Sequence, residues 1–423
     1  MKDKTGIYPL RMAAGITALC SIMLSGCGIN ATKVTDFSRI KLSQYDYALY
    51  AGPQRSDRHM GNTAYTIFID KNGGYTMHKH NVMDAGEISW TSEGLFYADK
   101  NHDYWLADNR QPKEITSEKT DLQDGLVSLN NNEVRVGIYN KGYTKNGIDY
   151  DEQIVISSKN KSDRFRAHHQ YGTVVACNND VYGITSDNED EAHKFREYHT
   201  IDRLVENSRF AYKQIAKRTD PLDEFDPTGP LASCANNRIV FLGAHHAPDT
   251  TPEDTEETRM LISRGQKNEY DQNETYTIET MDTASGQWAI HPLINPDGST
   301  FLSQRFRFEF SSQEQDSIRG EELYWLHGDG RLLKTNISTG VTTVVNDILY
   351  KANPKPDKVG YHFALTKDTA SILVEDIEKP KEHIFIYTFD LKTGKQLSKI
   401  PINGLSGQLR SNMVLRGFAA RPR

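Results

Sequence analysis

The sequence predicts an all-β fold, in which about seven four-stranded antiparallel sheets are set as the blades of a propeller and the C-terminal strand closes the ring. Three observations carry this. Between residues 361 and 402 four short runs rich in β-branched and aromatic residues follow one another, at 361–365, 371–376, 383–389 and 396–402, each bounded by turn residues. A turn of one form, Asp or Asn followed three and four residues later by Ser/Thr and Gly, recurs at 282–286, 336–340 and 390–394. One apolar run, 413–418, is left over when the other runs are grouped in fours, and the first group is one strand short. A single four-stranded sheet has two apolar faces to cover, so such sheets must stack on neighbours like themselves.

Taken in order, the chain opens on a targeting segment. Lys2, Lys4 and Arg11 precede an uncharged run at 12–24, which is too short to cross a bilayer as a helix of about 20 residues. Directly after it stand Leu24, Ser25, Gly26 and Cys27. This quartet resembles the lipobox of bacterial lipoproteins, and the resemblance implies cleavage before Cys27 and attachment of diacylglycerol to its sulfur. The expected organisation is therefore a signal peptide at 1–26, a polar tether at 27–44 and a propeller at 45–423, lipid-anchored on the extracytoplasmic side of the cell membrane.

The first blade takes 45–50, 64–69 and 75–80, with Asp70, Asn72 and Gly73 in a tight hairpin turn. The second runs from 87 to 116 and the third from 126 to 168. The fourth has strands at 173–176, 181–185, 198–201 and 210–215, interrupted by a long polar excursion. The fifth has 231–235, 239–243, 276–281 and 287–293 around a loop at 248–273, and the sixth has 306–310, 323–326, 332–335 and 341–345. Paired or tripled asparagines after residues 129, 177 and 235 end three first strands in the same way. The recurring Asp-x-x-Thr-Gly turn resembles the outer hairpin of quinoprotein-type β-propeller repeats, and the resemblance implies the propeller; no cofactor is expected. Two β-sandwiches in tandem are the competing arrangement, against which no linker divides the chain.

Composition narrows the partners. The formal charge is -7, so nothing favours a nucleic-acid backbone. No nucleophile elbow, paired-histidine zinc helix, phosphate loop, dinucleotide fingerprint or Cys-x-x-Cys is present. His78 and His80 share one face of a strand, and His168-His169 and His245-His246 are adjacent, but none has metal-ligand spacing on a helix, and no metal is expected. Residues 99–103 begin like a calcium loop without its glycine and distal glutamate, and read as a polar turn.

Three features remain as candidates. Arg305, Arg307 and Glu309 alternate with three phenylalanines at 305–310, so one face of that strand is charged; with His362 and Arg416 it is either an ion-pair network between blades or a ligand site at the channel mouth. Cys177 and Cys234 hold matching places in consecutive units and are either bonded or two buried thiols. Acidic stretches at 187–191, 223–226 and 249–257 are either a solvated surface or a docking face. The function expected is a membrane-anchored lipoprotein whose propeller binds an envelope protein or glycan; the alternative is an envelope glycan lyase or hydrolase working at the channel mouth.

Overall fold

In the computed structural model, residues 33–53, 61–108, 110–129, 133–143, 150–167, 169–191, 194–219, 232–246, 274–303, 308–309, 317–353, 358–376, 383–405, 407–409 and 413–422 are described. Alternation decides the local structure. In Ile384–Asp390 the side chains of Ile384 and Ile386 are buried towards the first blade while Phe385 and Tyr387 are half-buried, the period-two pattern of a strand, and after a register shift at Thr388 Phe389 is buried on the other face towards the sixth. That strand pairs antiparallel on one side with Thr369–Asp376 and on the other with Gln396–Ile402, while Val359–Leu365 completes the sheet, which is blade 7.

Six more sheets are built likewise. Blade 1 contains Tyr47–Pro53, Ala64–Ile69 and Tyr75–His80; blade 2, Ile88–Thr91, Gly94–Ala98, His102–Leu106 and Lys113–Thr116; blade 3, Gln123–Leu129, Val134–Tyr143, Tyr150–Ser158 and Ser162–Ala167. Blade 4 has Tyr171–Cys177, Asp180–Glu191, Lys194–Glu206 and Arg209–Thr219; blade 5, Ser233–Ala235, Arg238–His246, Glu274–Asp282 and Trp288–Pro292; blade 6, Phe308–Glu309, Glu322–His327, Leu332–Asn336 and Thr342–Asn346. A short helix, Ile348–Ala352, leads from blade 6 to blade 7.

The C-terminal strand Met413–Ala420 supplies the innermost strand of blade 1, pairing antiparallel with Tyr47–Pro53 from Tyr47 opposite Ala420 to Pro53 opposite Met413. It closes the ring as the leftover run predicts, and it removes the edge that Tyr47–Pro53 would otherwise expose. Met413, Leu415 and Phe418 then join Leu49 and Ile67 of blade 1 and Leu373 and Ile386 of blade 7 in one buried cluster. The other cores lie between successive blades in the same manner: Val240 and Tyr276 of blade 5 pack on Trp325 and Leu333 of blade 6, and Leu326 of blade 6 on Phe363 and Phe389 of blade 7. Burial of each such side chain contributes about 1.5 to 3 kcal/mol, and no blade can obtain it alone.

The recurring turns interlock the blades. In blade 7 the carboxylate of Asp390 accepts from the Thr393 amide (2.7 Å) and hydroxyl (2.6 Å), and the Gly394 amide donates to the Asp390 carbonyl at 2.8 Å. Gly394 has φ +68°, and a Cβ there would lie 2.1 Å from the Val345 carbonyl oxygen of blade 6. Gly340 meets the Pro292 carbonyl oxygen of blade 5 in the same way, and Gly286 meets that of Ile215 in blade 4. Glycine is required because the turn is left-handed and lies directly on the outer strand of the preceding blade. Blade 1 has a related turn one residue shorter: Asp70 accepts from the Asn72 and Gly74 amides, and Gly73 abuts the Pro401 carbonyl oxygen of blade 7. Its left-handed glycine follows the aspartate by three residues and not four, which sets it outside the recurring pattern.

Two expectations are corrected. The segment from 33 onward is not a spacer. Lys33–Val34 runs parallel to Tyr75–His80 as an extra outer strand of blade 1, and Phe37, Ile40 and Leu42 are buried against blades 1 and 2 from two short 3-10 turns. Three apolar residues in turns this short leave no period to read. The polar excursion of blade 4 is also no loop: Asp187–Glu191 continue a strand whose partners run from Tyr198 back to Lys194. That stretch is a β-ribbon reaching past the inner strand, which pairs only as far as Thr185. The acidic stretches at 223–226 and 249–257 lie outside the described residues.

Candidate functional site

Between blade 6 and two hairpin turns of blade 7, at 367–368 and 390–394, lies an open groove of 760 Å³. Its walls bring together Arg319, Lys334, Lys367 and Lys392 with Asp368 and Asp390. Each element supplies its residue for a local reason. Arg319 ends the short strand Ile318–Arg319, and its guanidinium donates to the Thr366 carbonyl at 2.8 Å and the Lys367 carbonyl at 3.3 Å, which ties blade 6 to the first hairpin of blade 7. Lys367 and Asp368 are the exposed tip of that hairpin, held by the Thr366 and Thr369 hydroxyls 2.7 Å apart. Asp390 and Lys392 belong to the recurring turn, where the hydroxyl and then the amide of Thr393 hold the Asp390 carboxyl below the usual carboxylate range. Lys334 sits 3.8 Å from Glu322. Tyr324 and Val344 give the groove an apolar side. The arrangement suits an acidic, partly apolar ligand, since Asp390 is engaged with its own turn while Lys367 and Lys392 present ammonium groups to solvent.

A second concentration of titratable groups lies between blades 1 and 2 and is closed to solvent. His78 Nδ1 is 2.7 Å from the Tyr97 hydroxyl. His80 Nδ1 is 2.9 Å from the Asn81 carbonyl, to which it can only donate, so in the neutral ring Nε2 accepts from Thr66 at 3.0 Å. Tyr104 donates to Asp99 at 2.8 Å, and Phe37 lies over His78 with ring centroids 5.2 Å apart. Both histidines are 8% exposed. Burial, reinforced by the neighbouring His80, brings His78 down to about 3, and burial brings His80 to about 4. Asp99 is lowered although burial opposes it, because the Asn101 amide, His80, the Tyr104 hydroxyl and the Asn81 amide all favour its charged form. Its carboxylate also accepts from the His102 amide, so residues 99–103 form the polar turn that the sequence suggests.

Other buried charges join blades. Lys119, 4% exposed, donates to Asp103 at 2.8 Å and to the Ser117 carbonyl, and Ser157 of blade 3 donates to the same carboxylate at 2.6 Å. Tyr171 of blade 4 takes its amide to Glu152 of blade 3 at 2.9 Å and its hydroxyl to Asp202 at 3.1 Å.

Of the residues singled out from the sequence, His362, Arg416, Cys177 and Cys234 are described with their side chains. Cys27, Arg305 and Arg307 lie outside the described residues, and of Glu309 only the backbone is described, opposite Leu326. His362 is half-buried, with Nε2 3.7 Å from Glu375 on the neighbouring strand of its own blade. Arg416 stands on the closing strand opposite Tyr50, its Nε without a hydrogen bond among the described residues. Cys177 and Cys234 form a disulfide between the inner strands of blades 4 and 5, Cα atoms 5.3 Å apart. Beside it, Asn178 and Asn237, both left-handed, hydrogen-bond across the two blades at 2.7 Å. Among the described residues no group of three or more His, Cys, Asp or Glu is placed to hold a metal ion, and no helix is long and apolar enough to cross a membrane. The groove escaped sequence reasoning because its lysines come from one strand and two separate hairpin turns, and only the packing of two blades assembles them.

Fold and site together define a seven-bladed propeller with structural buried charges and an open basic groove. Residues 41–418 match the family described as YycP, beta-propeller domain, and the chain belongs to that family. No curated protein matches it. Among solved structures it is similar to a Synechocystis apocarotenoid oxygenase variant, 10% identical over 86% of this chain and 90% of that one with a TM-score of 0.46. It is similar also to dihydro-heme d1 dehydrogenase NirN, 9% identical over 92% of this chain and 78% of that one with a TM-score of 0.43. Likeness at this level concerns the propeller fold alone.

Proposed function

We propose that the chain is an envelope lipoprotein, held on the extracytoplasmic side of the cell membrane by lipid on Cys27, whose propeller binds a protein or glycan partner. The groove between blades 6 and 7 carries the binding reading, because exposed charged side chains of two hairpins converge there on open space. Its lysines favour an acidic protein segment or acidic glycan over a neutral one. The Cys177–Cys234 bond supports an oxidising compartment, in keeping with the signal and lipid-attachment pattern around Cys27. A catalytic reading needs titratable groups that substrate can reach, and the His78–Tyr97 cluster lies beneath Phe37. Two measurements test the proposal. Cys27→Ser should leave the protein unprocessed or released from membranes; fractionation and migration like wild type would overturn the anchor. Affinity capture from solubilised envelopes should recover a partner with wild type and lose most of it with Lys367→Glu combined with Lys392→Glu. Equal recovery by both would overturn the groove as the binding site.

A further inference from the structure

The shortened spacer fixes which side of the ring faces the membrane. If the chain were free from Cys27 to residue 44, it would let the propeller stand off by up to about 60 Å, but pairing of Lys33 with Thr76 leaves only the reach from Cys27 to Lys33, about 20 Å fully extended. Lys33–Val34 is the outermost strand of blade 1, so the lipid end of the chain leaves from that rim and from no other.

The rim has a charge to match. Lys71 and Lys79 are exposed on the adjoining hairpin of blade 1, and Arg39 and Lys41 on the turns that follow Lys33–Val34, in a chain whose formal charge is -7. The carboxylates among them are turned into their own backbone: Asp36 accepts from the Ser38 amide and hydroxyl at 3.0 and 2.9 Å, and Asp70 from the Asn72 and Gly74 amides at 2.7 and 3.1 Å. Four exposed cations thus accompany two carboxylates that are fixed in their own turns. Clusters of this kind beside a lipid attachment add electrostatic attraction to an anionic leaflet, and the lipid and the basic patch act as two linked signals.

We propose that the outer rim of blade 1 lies against anionic lipid headgroups, so that the propeller sits edge-on to the membrane with blades 4 and 5 pointing away. The inference rests on the lipoprotein reading and adds an orientation to it. The groove between blades 6 and 7 then opens one blade from the membrane-facing rim, where a partner lying along the membrane surface would meet it.

The test uses the full lipidated chain reconstituted into vesicles of phosphatidylcholine, with or without phosphatidylglycerol, bearing a fluorophore either at Lys79 on the rim or at Lys213 on the outer strand of blade 4. Energy transfer to an acceptor on the lipid headgroups should be strong from position 79 and weak from 213. It should rise when phosphatidylglycerol is present, and neutralising Arg39, Lys41 and Lys71 with glutamine should remove that rise, each cation counting for about fivefold in association with the anionic surface. A flexible insertion after Gly28 should equalise the two positions. Flotation with vesicles but equal transfer from 79 and 213 in the uninserted chain would overturn the orientation and leave the anchor standing. Transfer indifferent to phosphatidylglycerol would assign the rim to an acidic protein and overturn the lipid contact. Failure to float at all would overturn the anchor itself, and the orientation with it.

Discussion

Acidification should weaken this protein in a defined window, because two buried imidazoles must stay neutral for blades 1 and 2 to pack. His78 is held down to about 3 and His80 to about 4, against an ordinary value of 6.5, with burial the leading cause in both. A histidine depressed in the folded state binds its proton more readily when unfolded, so its contribution is complete above pH 6.5 and is lost as the pH falls from there towards 4. Between pH 7.5 and 5 each site loses about 2 kcal/mol, at 1.36 kcal/mol per pH unit below 6.5, so the pair costs the fold about 4 kcal/mol. Asp99 does not blur this window, since its lowered carboxyl matters only below the free carboxylate range. Urea unfolding at the two pH values measures the loss. In the variant carrying His78→Asn and His80→Gln, which keep a polar atom near Tyr97 and Thr66, the pH dependence should shrink by that amount whatever the variant's stability at neutral pH. An equal slope for wild type and variant would show that the histidines are not buried neutral and would refute the packing described between the blades.

Three further outcomes follow from the packing. Lys119→Met should destabilise by about 3 to 5 kcal/mol in urea unfolding, because Asp103 keeps its buried charge and loses its cation; a cost under about 1 kcal/mol would contradict the burial of that pair. Gly298→Ala, at φ +84° with nothing within 4 Å of a new Cβ, should cost only the about 1 to 2 kcal/mol of a left-handed residue, while Gly340→Ala should cost clearly more through its clash with Pro292. Equal costs at the two glycines would refute the interlock between turns and preceding blades. Deleting residues 413–423 should expose the Tyr47–Pro53 edge and produce aggregation on heating, whereas a wild-type thermal transition would show that the ring does not depend on its closing strand.

The architecture was legible because it is written in local, repeated signals. Period-two alternation marks the strands, the Asp-x-x-Thr-Gly turns mark three blades, and the orphan run at the C-terminus marks the closure; each is decided within a few residues. What depends on contacts between blades was not legible. Phe37 and Leu42 look like parts of a polar tether until blade 2 is beside them, and His78 is one histidine on a strand until Tyr97 arrives from the next sheet. The blade 4 ribbon hides for a different reason: from Asp187 to Glu191 the sequence is uniformly polar, and backbone pairing with Lys194–Tyr198 holds it in strand form without the alternation that normally announces one. The basic groove is the extreme case, since Arg319, Lys334, Lys367 and Lys392 share no motif and come from four separate turns or strands.

The binding role is tested most directly by placing a photo-crosslinking amino acid at Lys392 in the full chain, in cells, with a second protein carrying it at Ile290, an exposed position on the outer strand of blade 5. The account predicts a discrete crosslinked species from position 392 that is absent from position 290 and is lost when Lys367 is changed to Glu. No species from 392, or the same pattern from both positions, would contradict it.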